Sequence, residues 1–502
     1  MNYSLTIKNI RNIVFDRRYY IVFLLLVLSG CHKKEEAKEK TLFELLGSDI
    51  THIDFVNQLS YNNDFNIFTY RNFYNGGGVA IGDINNDGLP DIFLVGNMVP
   101  SRLYLNKGNF QFEDITEKSG INKLGKWSTG VTMADVNGDG LLDIYVCNSG
   151  DIKGDNKQNE LYINNGDLTF TERAKEYGIA VNGYSTHAVF FDYDHDGDMD
   201  LFILSNSFKA IGSFNLQSNE RNIRDQLGGQ KLFRNDGGHF TDVSKQAGIY
   251  GSVIGFGLGV SVGDVNGDGW DDIYVSNDFF ERDYLYINNK DGTFKESLED
   301  QMKSISNASM GADLADINND GYPDIFTTDM LPENEARLKT NTTFENWDKY
   351  QLDLKYDYYH QFTRNTFQLN NGNGTFSEIG RLAGVHATDW SWGALITDLD
   401  NDGFKDIFVS NGIYKDLTNQ DYIQHISNRD VMRGALTSNG MNYKKLIDSM
   451  PSQAIPNYAF HNNGDLTFTN KAKEWGLDQA SFSNGSAYGD LNNDGALDLV
   501  VN

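Results

Sequence analysis

The sequence predicts an all-β fold: a seven-bladed β-propeller of four-stranded antiparallel blades. Seven copies of the motif D-x-[ND]-x-D-G-x-x-D-[IL] start 52 to 92 residues apart, a spacing typical of repeat architectures. The flanks of each motif are short runs rich in Val, Ile, Phe and Tyr, which indicate β-strands. After each of the first six motifs comes an aromatic strand ending in Asn, a Gly turn and a strand beginning with Phe. One motif hairpin and one Gly hairpin together make a four-stranded unit, and such units repeated around an axis form a propeller.

Each motif is expected to form the hairpin between strands A and B of its blade. Asp-Gly alone is a turn signal, so a plain polar hairpin is the alternative. Oxygen-bearing side chains at positions 1, 3, 5 and 9 of all seven copies exceed what a turn needs, whereas Ca²⁺ takes about six to eight oxygen ligands. The motif is not an EF-hand, because position 12 is apolar or Thr instead of Glu. We therefore predict calcium-binding A–B loops that hold up to seven Ca²⁺. The candidate metal ligands are Asp83, Asn85, Asp87 and Asp91; Asp135, Asn137, Asp139 and Asp143; Asp192, Asp194, Asp196 and Asp200; Asp264, Asn266, Asp268 and Asp272; Asp316, Asn318, Asp320 and Asp324; Asp398, Asp400, Asp402 and Asp406; and Asp490, Asn492, Asp494 and Asp498.

Metal ligation also accounts for much of the acidity of the chain. The formal net charge is −28, and the motifs contribute 23 carboxylates at their ligand positions. No basic stripe offsets this charge, so we expect no nucleic-acid partner. Gly is frequent, at 50 of 502 residues, and Pro is rare, at 6, which suits many short strands and turns better than a disordered chain.

The seventh unit contains strands A and B, after which the sequence given stops at Asn502. Residues 42–46 (LFELL) and 52–57 (HIDFVN) precede the first strand A and read as strands. We expect them to complete the last blade and close the ring, which would remove exposed sheet edges. A longer natural chain that continues beyond Asn502 is the rival interpretation, and the two are compatible.

The first 31 residues read as an export signal instead of a part of the fold. Arg17 and Arg18 precede the short apolar run YYIVFLLLVLSG, which ends at Cys31. This arrangement resembles a bacterial lipoprotein signal whose cysteine is lipidated, and the following HKKEE resembles the export tag of Bacteroidetes surface lipoproteins. We expect residues 32–41 to form a charged tether on an outer-membrane, surface-exposed lipoprotein that touches the membrane only through its lipid. A plain membrane anchor with an incidental cysteine is the alternative.

The loops and the interleaved LYxN and Gly-Thr-Phe strands resemble FG-GAP/VCBS repeat proteins over about residues 42–502. That resemblance implies a propeller similar to the integrin alpha N-terminal domain, with calcium in its loops. Some relatives carry a C-terminal UnbV/ASPIC segment, and the sequence given ends before one could appear.

Function is expected on the face opposite the A–B loops, which we call the insert face. There the connections between strands B and C are long at residues 207–230, 330–364 and 413–457, and long connections are often functional. The candidate ligand-binding residues are Trp347, Tyr350, Tyr356, Tyr358 and Tyr359, whose rings suit stacking on a sugar or a protein. The alternative is that these aromatics pack the insert or plug the ring. Trp390 and Trp392 are expected in the core.

No catalytic motif is evident in the sequence, neither G-x-S-x-G nor H-E-x-x-H. We therefore expect a calcium-stabilised surface scaffold, monomeric or part of an outer-membrane complex, that binds a protein or a glycan. The alternative is a lyase, a glycosidase or an accessory subunit of a glycan-uptake system on the same scaffold. An enzyme of that kind would need a pocket with two metal-free carboxylates about 5–9.5 Å apart.

Overall fold

Six antiparallel four-stranded sheets are the repeating element of the computed structural model. The structure describes residues 41–121, 125–150, 157–207, 209, 217–341, 346–438 and 440–502. The predicted signal peptide with Cys31, and the predicted tether up to residue 40, lie outside the described residues. All the sheets belong to the unit Leu42–Asn502.

In each sheet the strands follow the chain order A, B, C, D. Blade 1 consists of β1 (Val79–Gly82), β2 (Asp91–Leu94), β3 (Arg102–Asn106) and β4 (Phe112–Asp114). Blade 2 consists of β5 (Trp127–Ala134), β6 (Asp143–Ser149), β7 (Glu160–Asn164) and β8 (Phe170–Glu172). Blade 3 consists of β9 (Ser185–Phe191), β10 (Asp200–Ser205), β11 (Lys231–Asn235) and β12 (Phe240–Asp242). Blade 4 consists of β13 (Gly257–Gly263), β14 (Asp272–Asn277), β15 (Tyr284–Asn288) and β16 (Phe294–Glu296). Blade 5 consists of β18 (Ala312–Ala315), β19 (Asp324–Thr327), β21 (Thr366–Asn370) and β22 (Phe376–Glu378). Blade 6 consists of β23 (Ser391–Thr397), β24 (Asp406–Asn411), β28 (Tyr458–Asn462) and β29 (Phe468–Asn470). The seventh unit is the hairpin β31 (Ser486–Gly489) and β32 (Asp498–Val501).

Short elements connect the blades. Three two-stranded pairs join β17 (Ile305–Ser306) to β20 (Gln361–Phe362), β25 (Leu436–Thr437) to β26 (Gly440–Met441), and β27 (Ile455–Pro456) to β30 (Ala480–Ser481). The described helices are α1 (Ser48–Thr51), α2 (Thr116–Ser119), α3 (Ala174–Tyr177), α4 (Leu298–Gln301), α5 (Glu335–Asn341), α6 (Trp347–Lys355), α7 (Gly380–Ala383), α8 (Gln420–Ile426), α9 (Arg429–Ala435), α10 (Tyr443–Asp448) and α11 (Ala472–Trp475), with a 3₁₀ turn at Arg71–Tyr74.

The seven A strands surround the axis of the propeller. Each contacts the next in chain order, from β1 through β5, β9, β13, β18 and β23 to β31, and β31 contacts β1. In blades 1 to 6 the B and C strands are mostly buried on both sides because neighbouring blades pack face to face. Tyr145 and Cys147 of β6, for example, pack in one cluster with Leu201 and Ile203 of β10. Cys147 is fully buried, as expected of a core residue.

The prediction of seven four-stranded blades is wrong: six sheets have four strands and the seventh unit has two.

The predicted closing strands at 42–46 and 52–57 do not form either, and α1 lies between them. Burial does alternate along residues 51–60, so the period of two correctly indicated an extended chain with one buried side. Side-chain contacts hold this extended segment in place, where a strand would be held by backbone hydrogen bonds to a neighbouring strand. Ile53 and Phe55 pack on Tyr104 and Val500. Asn57 exchanges hydrogen bonds with Asn97.

Candidate functional site

The seven Asp-rich loops (83–91, 135–143, 192–200, 264–272, 316–324, 398–406 and 490–498) share one conformation. Position 4 is left-handed in every loop, with φ of 56° to 73°, and the Gly at position 6 has φ of 83° to 95°. Position 4 is therefore Asn, Gly or His, and position 6 is Gly, because few other residues adopt positive φ easily. The carboxylate at position 1 accepts hydrogen bonds of 2.7–3.1 Å from the amides of positions 5 and 6 in all seven loops.

The aspartate at position 9 joins each loop to its own blade. Its Oδ2 accepts the position 2 amide at 2.9–3.2 Å in every loop. In blades 1 to 6 its Oδ1 also accepts, at 2.7–2.9 Å, the backbone amide of the Asn that ends strand C. These bonds explain why positions 1 and 9 are acidic even without a metal.

Charge is nevertheless concentrated in the loops. Burial raises the pKa of the position 9 carboxyl, to about 7 for Asp91 and Asp200 and to about 6 for Asp143. The neighbouring carboxylates of the same loop raise the pKa further, against the hydrogen bonds that lower it. A cation held among these oxygens would remove that repulsion and keep the carboxylates ionised.

In two loops carboxylate oxygens converge and one buried oxygen lacks a hydrogen-bond partner, which tests whether the residues fit a metal. Carboxylate oxygens of Asp192, Asp194 and Asp200 lie within 4.8 Å of one another, as do those of Asp398, Asp400 and Asp406. Within the described residues, Oδ1 of Asp194 and of Asp400 is buried and accepts no hydrogen bond. An all-oxygen set with a buried unpaired carboxylate oxygen fits a hard divalent cation.

The other five loops have Asn at position 3. Its Oδ1 accepts the position 5 amide, and in four of these loops its Nδ2 donates to the position 5 carboxylate at 2.9–3.0 Å. Blade 6 differs again, because His461 of β28 places Nδ1 3.2 Å from Asp400. The loops are therefore chemically unequal, although their motifs read alike.

The described parts of the three long inserts lie on the face opposite the Asp-rich loops, where the B strands end. The Gly turns share the face of the loops instead, since Gly237 donates a 2.8 Å hydrogen bond to Asp198. The inserts also contact one another. Asn219 of the first donates to the carbonyls of Tyr356 and Asp357 in the second, and Arg337 of the second pairs with Asp416 of the third at 3.1 Å.

The predicted ligand-binding aromatics have mixed positions. Tyr358 has 0% exposure and packs the insert in this conformation. Tyr359 donates a 2.6 Å hydrogen bond to the carbonyl of Met302. The Tyr350 hydroxyl lies 2.6 Å from Nδ1 of His360. The Lys355 ammonium lies over the ring of Tyr356. Trp347 is 71% exposed at the start of α6.

A cavity of about 410 Å³ opens on the insert face, within the range of roughly 300–1,000 Å³ typical of small-molecule sites. Leu258, Met310 and Trp392 also line a second cavity of about 370 Å³, which lies among the A strands that surround the propeller axis. We therefore call the first cavity the axial cavity. Its walls come from the starts of A strands, the ends of B strands and two inserts, and include Phe256, Asp278, Phe279, Lys349, Trp390 and Leu417.

Two buried donors in this wall have no partner in the described structure. Tyr74 is 3% exposed and Trp390 is 8% exposed, yet the Tyr74 hydroxyl and the Trp390 Nε1 make no hydrogen bond there. Buried polar groups are normally paired, so each invites an explanation. Phe279 adds a strained backbone, with φ of 68°, that sets its ring 4.8 Å from that of Phe256.

Ion pairs fix the wall around Trp390. Asp389 donates its amide to Leu331, and its Oδ1 accepts the Trp390 amide at 2.8 Å. The Arg337 guanidinium holds both oxygens of Asp389 and also Asp416. One side chain of the second insert thus ties together strand A of blade 6 and the third insert.

The sequence carried a signal for this site that our reading missed. Residues 61–75 (YNNDFNIFTYRNFYN) hold six aromatic rings just before strand A of blade 1. In the structure they cross the insert face: Phe65 and Phe73 pack on Trp127, and Tyr74 lines the axial cavity. Trp390 is buried in the core, as expected, and it also lines the same cavity.

The repeat geometry agrees with a known sequence family. The profile of the FG-GAP-like repeat matches residues 83–146, 149–203, 264–327 and 341–409, together half of the chain. The chain belongs to the FG-GAP-like repeat family. Each matched FG-GAP segment covers strands and loops of consecutive blades, so the family assignment and the propeller describe the same repeat.

Individual proteins resemble this FG-GAP propeller only in part. Cartilage acidic protein 1 of Xenopus tropicalis is 29% identical over 143 residues, which are 28% of this chain and 21% of that protein's length. An Agrocybe aegerita lectin that recognises non-reducing terminal N-acetylglucosamine aligns over 84% of both chains, with 16% identity and a TM-score of 0.41. The V. cholerae biofilm matrix protein Bap1 aligns over 88% of this chain and 62% of its own, with 11% identity and a TM-score of 0.29. Both TM-scores lie below 0.5.

The helices of the described region are short. None of them combines the length and the apolar character that a membrane span requires.

Proposed function

We propose that this FG-GAP propeller is a calcium-stabilised binding scaffold that recognises a glycan or a protein through its insert face. The observation that carries the proposal is the axial cavity, a recess of about 410 Å³ that opens on the insert face and has aromatic walls and one carboxylate, Asp278, among its described lining residues.

We also propose that calcium stabilises the opposite face, which carries the Asp-rich loops. The ligands would be the side chains at positions 1, 3, 5 and 9 of each Asp-rich loop. The cation would supply positive charge that offsets three or four nearby carboxylates per loop. The carboxylates themselves orient the hairpin through the backbone amides that they accept, as at Asp83 with Asp87 and Gly88.

Residues that line the axial cavity favour binding over hydrolysis. Asp278 is the single carboxylic acid among its described lining residues, whereas a glycosidase of the usual kind uses a pair. We also propose, from the lipoprotein-like N-terminal sequence, that the scaffold is displayed on the outer membrane.

The insert face can be tested by blocking it. Leu417 is half-buried in the cavity wall, so Leu417→Trp fills the entrance, while Asn165→Trp adds the same bulk at an exposed turn on the loop face. Both variants are applied with the wild type to a glycan array and to affinity co-purification in calcium. A partner lost only by Leu417→Trp supports the proposal. A partner retained by Leu417→Trp and lost by Asn165→Trp contradicts it.

A further inference from the structure

The Asp-rich loop of blade 6 (398–406) meets a histidine from strand C of the same blade. His461 of β28 places Nδ1 3.2 Å from Asp400 Oδ2 and 3.4 Å from Asp406 Oδ1. That nitrogen is buried, and within the described residues neither contact has the geometry of a hydrogen bond. Trp475 packs edge to face on the imidazole, with ring centroids 5.8 Å apart, and holds it against the loop. The nitrogen therefore faces the carboxylates without bonding to either of them.

Five donor groups come together at this loop. Nδ1 of His461 lies within 4.8 Å of carboxylate oxygens of Asp400 and Asp402. Asp400 also belongs to a second group of the same size, with Asp398 and Asp406. Ligands about 2.0–2.2 Å from one zinc ion lie about 3.0–3.5 Å from each other, and the two distances at His461 fall in that range. The spacing of these atoms therefore suits ligands of a single ion.

Blade 3 shows the same kind of loop without a nitrogen ligand. Its loop also has aspartate at position 3, Asp194, but the residue before the Asn that ends strand C is Arg234, where blade 6 has His461. A guanidinium stays protonated and offers no lone pair, so Arg234 can only offset the charge of the loop. A neutral imidazole keeps its proton on one nitrogen and presents the lone pair of the other to a metal. Blades 1, 2, 4 and 5 have Leu or Ile at this place in strand C.

We infer that the blade 6 loop is a mixed nitrogen and oxygen site that prefers a divalent transition metal, with Zn²⁺ as the simplest case, to Ca²⁺. Imidazole is a good ligand for Zn²⁺, whereas Ca²⁺ takes oxygen ligands. The inference goes beyond the proposed function, because it gives one of the seven loops a cation other than calcium. It depends neither on the axial cavity nor on calcium in the other six loops.

Zinc added in the presence of calcium tests the preference. The protein is stripped with chelator, equilibrated with ZnCl₂ and about a hundredfold excess of CaCl₂, and passed through gel filtration before its metals are counted by mass spectrometry. We expect one Zn²⁺ per chain to be retained. X-ray absorption at the zinc edge should show one imidazole among oxygen ligands. A shell of oxygen alone would overturn the inference, and this measurement needs only the wild-type protein.

Three variants locate the ion. His461→Leu gives strand C the residue type of blades 1 and 5, and His461→Arg copies Arg234 of blade 3 and keeps a positive charge beside the loop. Both should weaken zinc binding about a hundredfold and leave a melting temperature in zinc-free calcium close to that of the wild type. His195→Asn is the control. His195 stacks on Trp270 at position 4 of the blade 3 loop, where four other loops have Asn, and its loss should leave zinc binding unchanged.

The outcomes separate a metal ligand from a charge partner of Asp400. Zinc that His461→Leu or His461→Arg retains as tightly as the wild type overturns the inference, and so does a wild-type protein that retains no zinc in excess calcium. Bound calcium without retained zinc leaves the proposed calcium stabilisation standing. Retained zinc in a protein that binds no calcium defeats that proposal and leaves this inference standing.

Discussion

The Nδ2 of Asn106 in blade 1 donates a 2.8 Å hydrogen bond to the backbone carbonyl of Leu491, which lies 385 residues further along the chain. The same bond joins each of blades 2 to 6 to the unit before it, at 2.7–3.1 Å. The Asn that ends strand C therefore ties the units together, and in blade 1 it closes the ring. Asn493 adds a second closing bond, to the carbonyl of Gly88.

Loss of the closing bond should destabilise the whole ring. Asn106→Ala removes two donations, to Leu491 and to Pro90, and leaves a buried carbonyl without its partner. We expect the free energy of unfolding to fall by about 2–3 kcal/mol, measured by chemical denaturation in calcium. Asn165→Ala, at an exposed position next to Asn164, is the control and should change it by less than about 0.5 kcal/mol. Equal effects of the two substitutions would refute the role of Asn106.

The sequence predicted the repeated unit well because each unit is specified locally. Alternating apolar strands, Asp-Gly turns and the Asn at the end of strand C lie within one stretch of chain, so period and turn chemistry identify them. Residues 52–57 show where such reasoning fails. Their alternation correctly indicated one buried side, but alternation does not reveal whether a neighbouring strand has free amides in register.

The aromatic residues 61–75 could have been noticed in the sequence, but the way they meet the other walls of the axial cavity could not be predicted, for a related reason. Tyr74, Asp278 and Trp390 come from three distant stretches and meet only because the blades surround one axis. The aromatics of residues 347–359 are dense in sequence and drew attention, yet Tyr358 is buried in its own insert. Local density of aromatic rings does not separate packing from binding.

Asp313 should make stability depend on pH. It lies in β18 on the wall of the second cavity, partly accessible but surrounded by protein, and accepts the Ile396 amide at 2.7 Å. Burial raises its pKa to about 6, although hydrogen bonds from Ile396 and Leu314 lower it. An acid with a folded pKa above its unfolded value of about 3.9 contributes stability below pH 4 and loses it as the pH rises through 6.

Asp313→Asn should therefore flatten the decline in melting temperature between pH 4 and 6, measured in saturating calcium. Asp64→Asn, at an exposed position, serves as the control and should retain the wild-type slope. A slope of Asp313→Asn that equals that of the wild type would show that Asp313 does not titrate in this range.

Anchoring is tested at Cys31, which follows the lipobox-like Leu-Ser-Gly. Cys31→Ser should release the protein from the membrane fraction, because the thiol that would carry the lipid is gone. Fractionation followed by immunoblotting measures this, with Cys147→Ser as a control that keeps Cys31. Continued membrane association of Cys31→Ser would indicate an uncleaved membrane anchor.

Removal of one ligand should weaken one metal site. Asp87→Ala should lower the melting temperature in calcium by a few degrees without abolishing folding, since six loops remain intact. A saturated site contributes about 2.7 kcal/mol at a hundredfold excess of ligand over Kd. Asp167→Ala removes an exposed carboxylate from a Gly turn on the same face and should leave the calcium response unchanged. Identical calcium responses of the two variants would argue against ligation by Asp87.

Calcium binding by the Asp-rich loops is the central claim, and the number of calcium ions per chain tests it most directly. The protein is stripped with chelator, dialysed to equilibrium against calcium in the presence of excess magnesium, and analysed by inductively coupled plasma mass spectrometry. We predict several calcium ions per chain, approaching seven, together with a melting temperature many degrees above that of the stripped protein. No calcium above the level of the dialysis buffer, with an unchanged melting curve, would contradict the account.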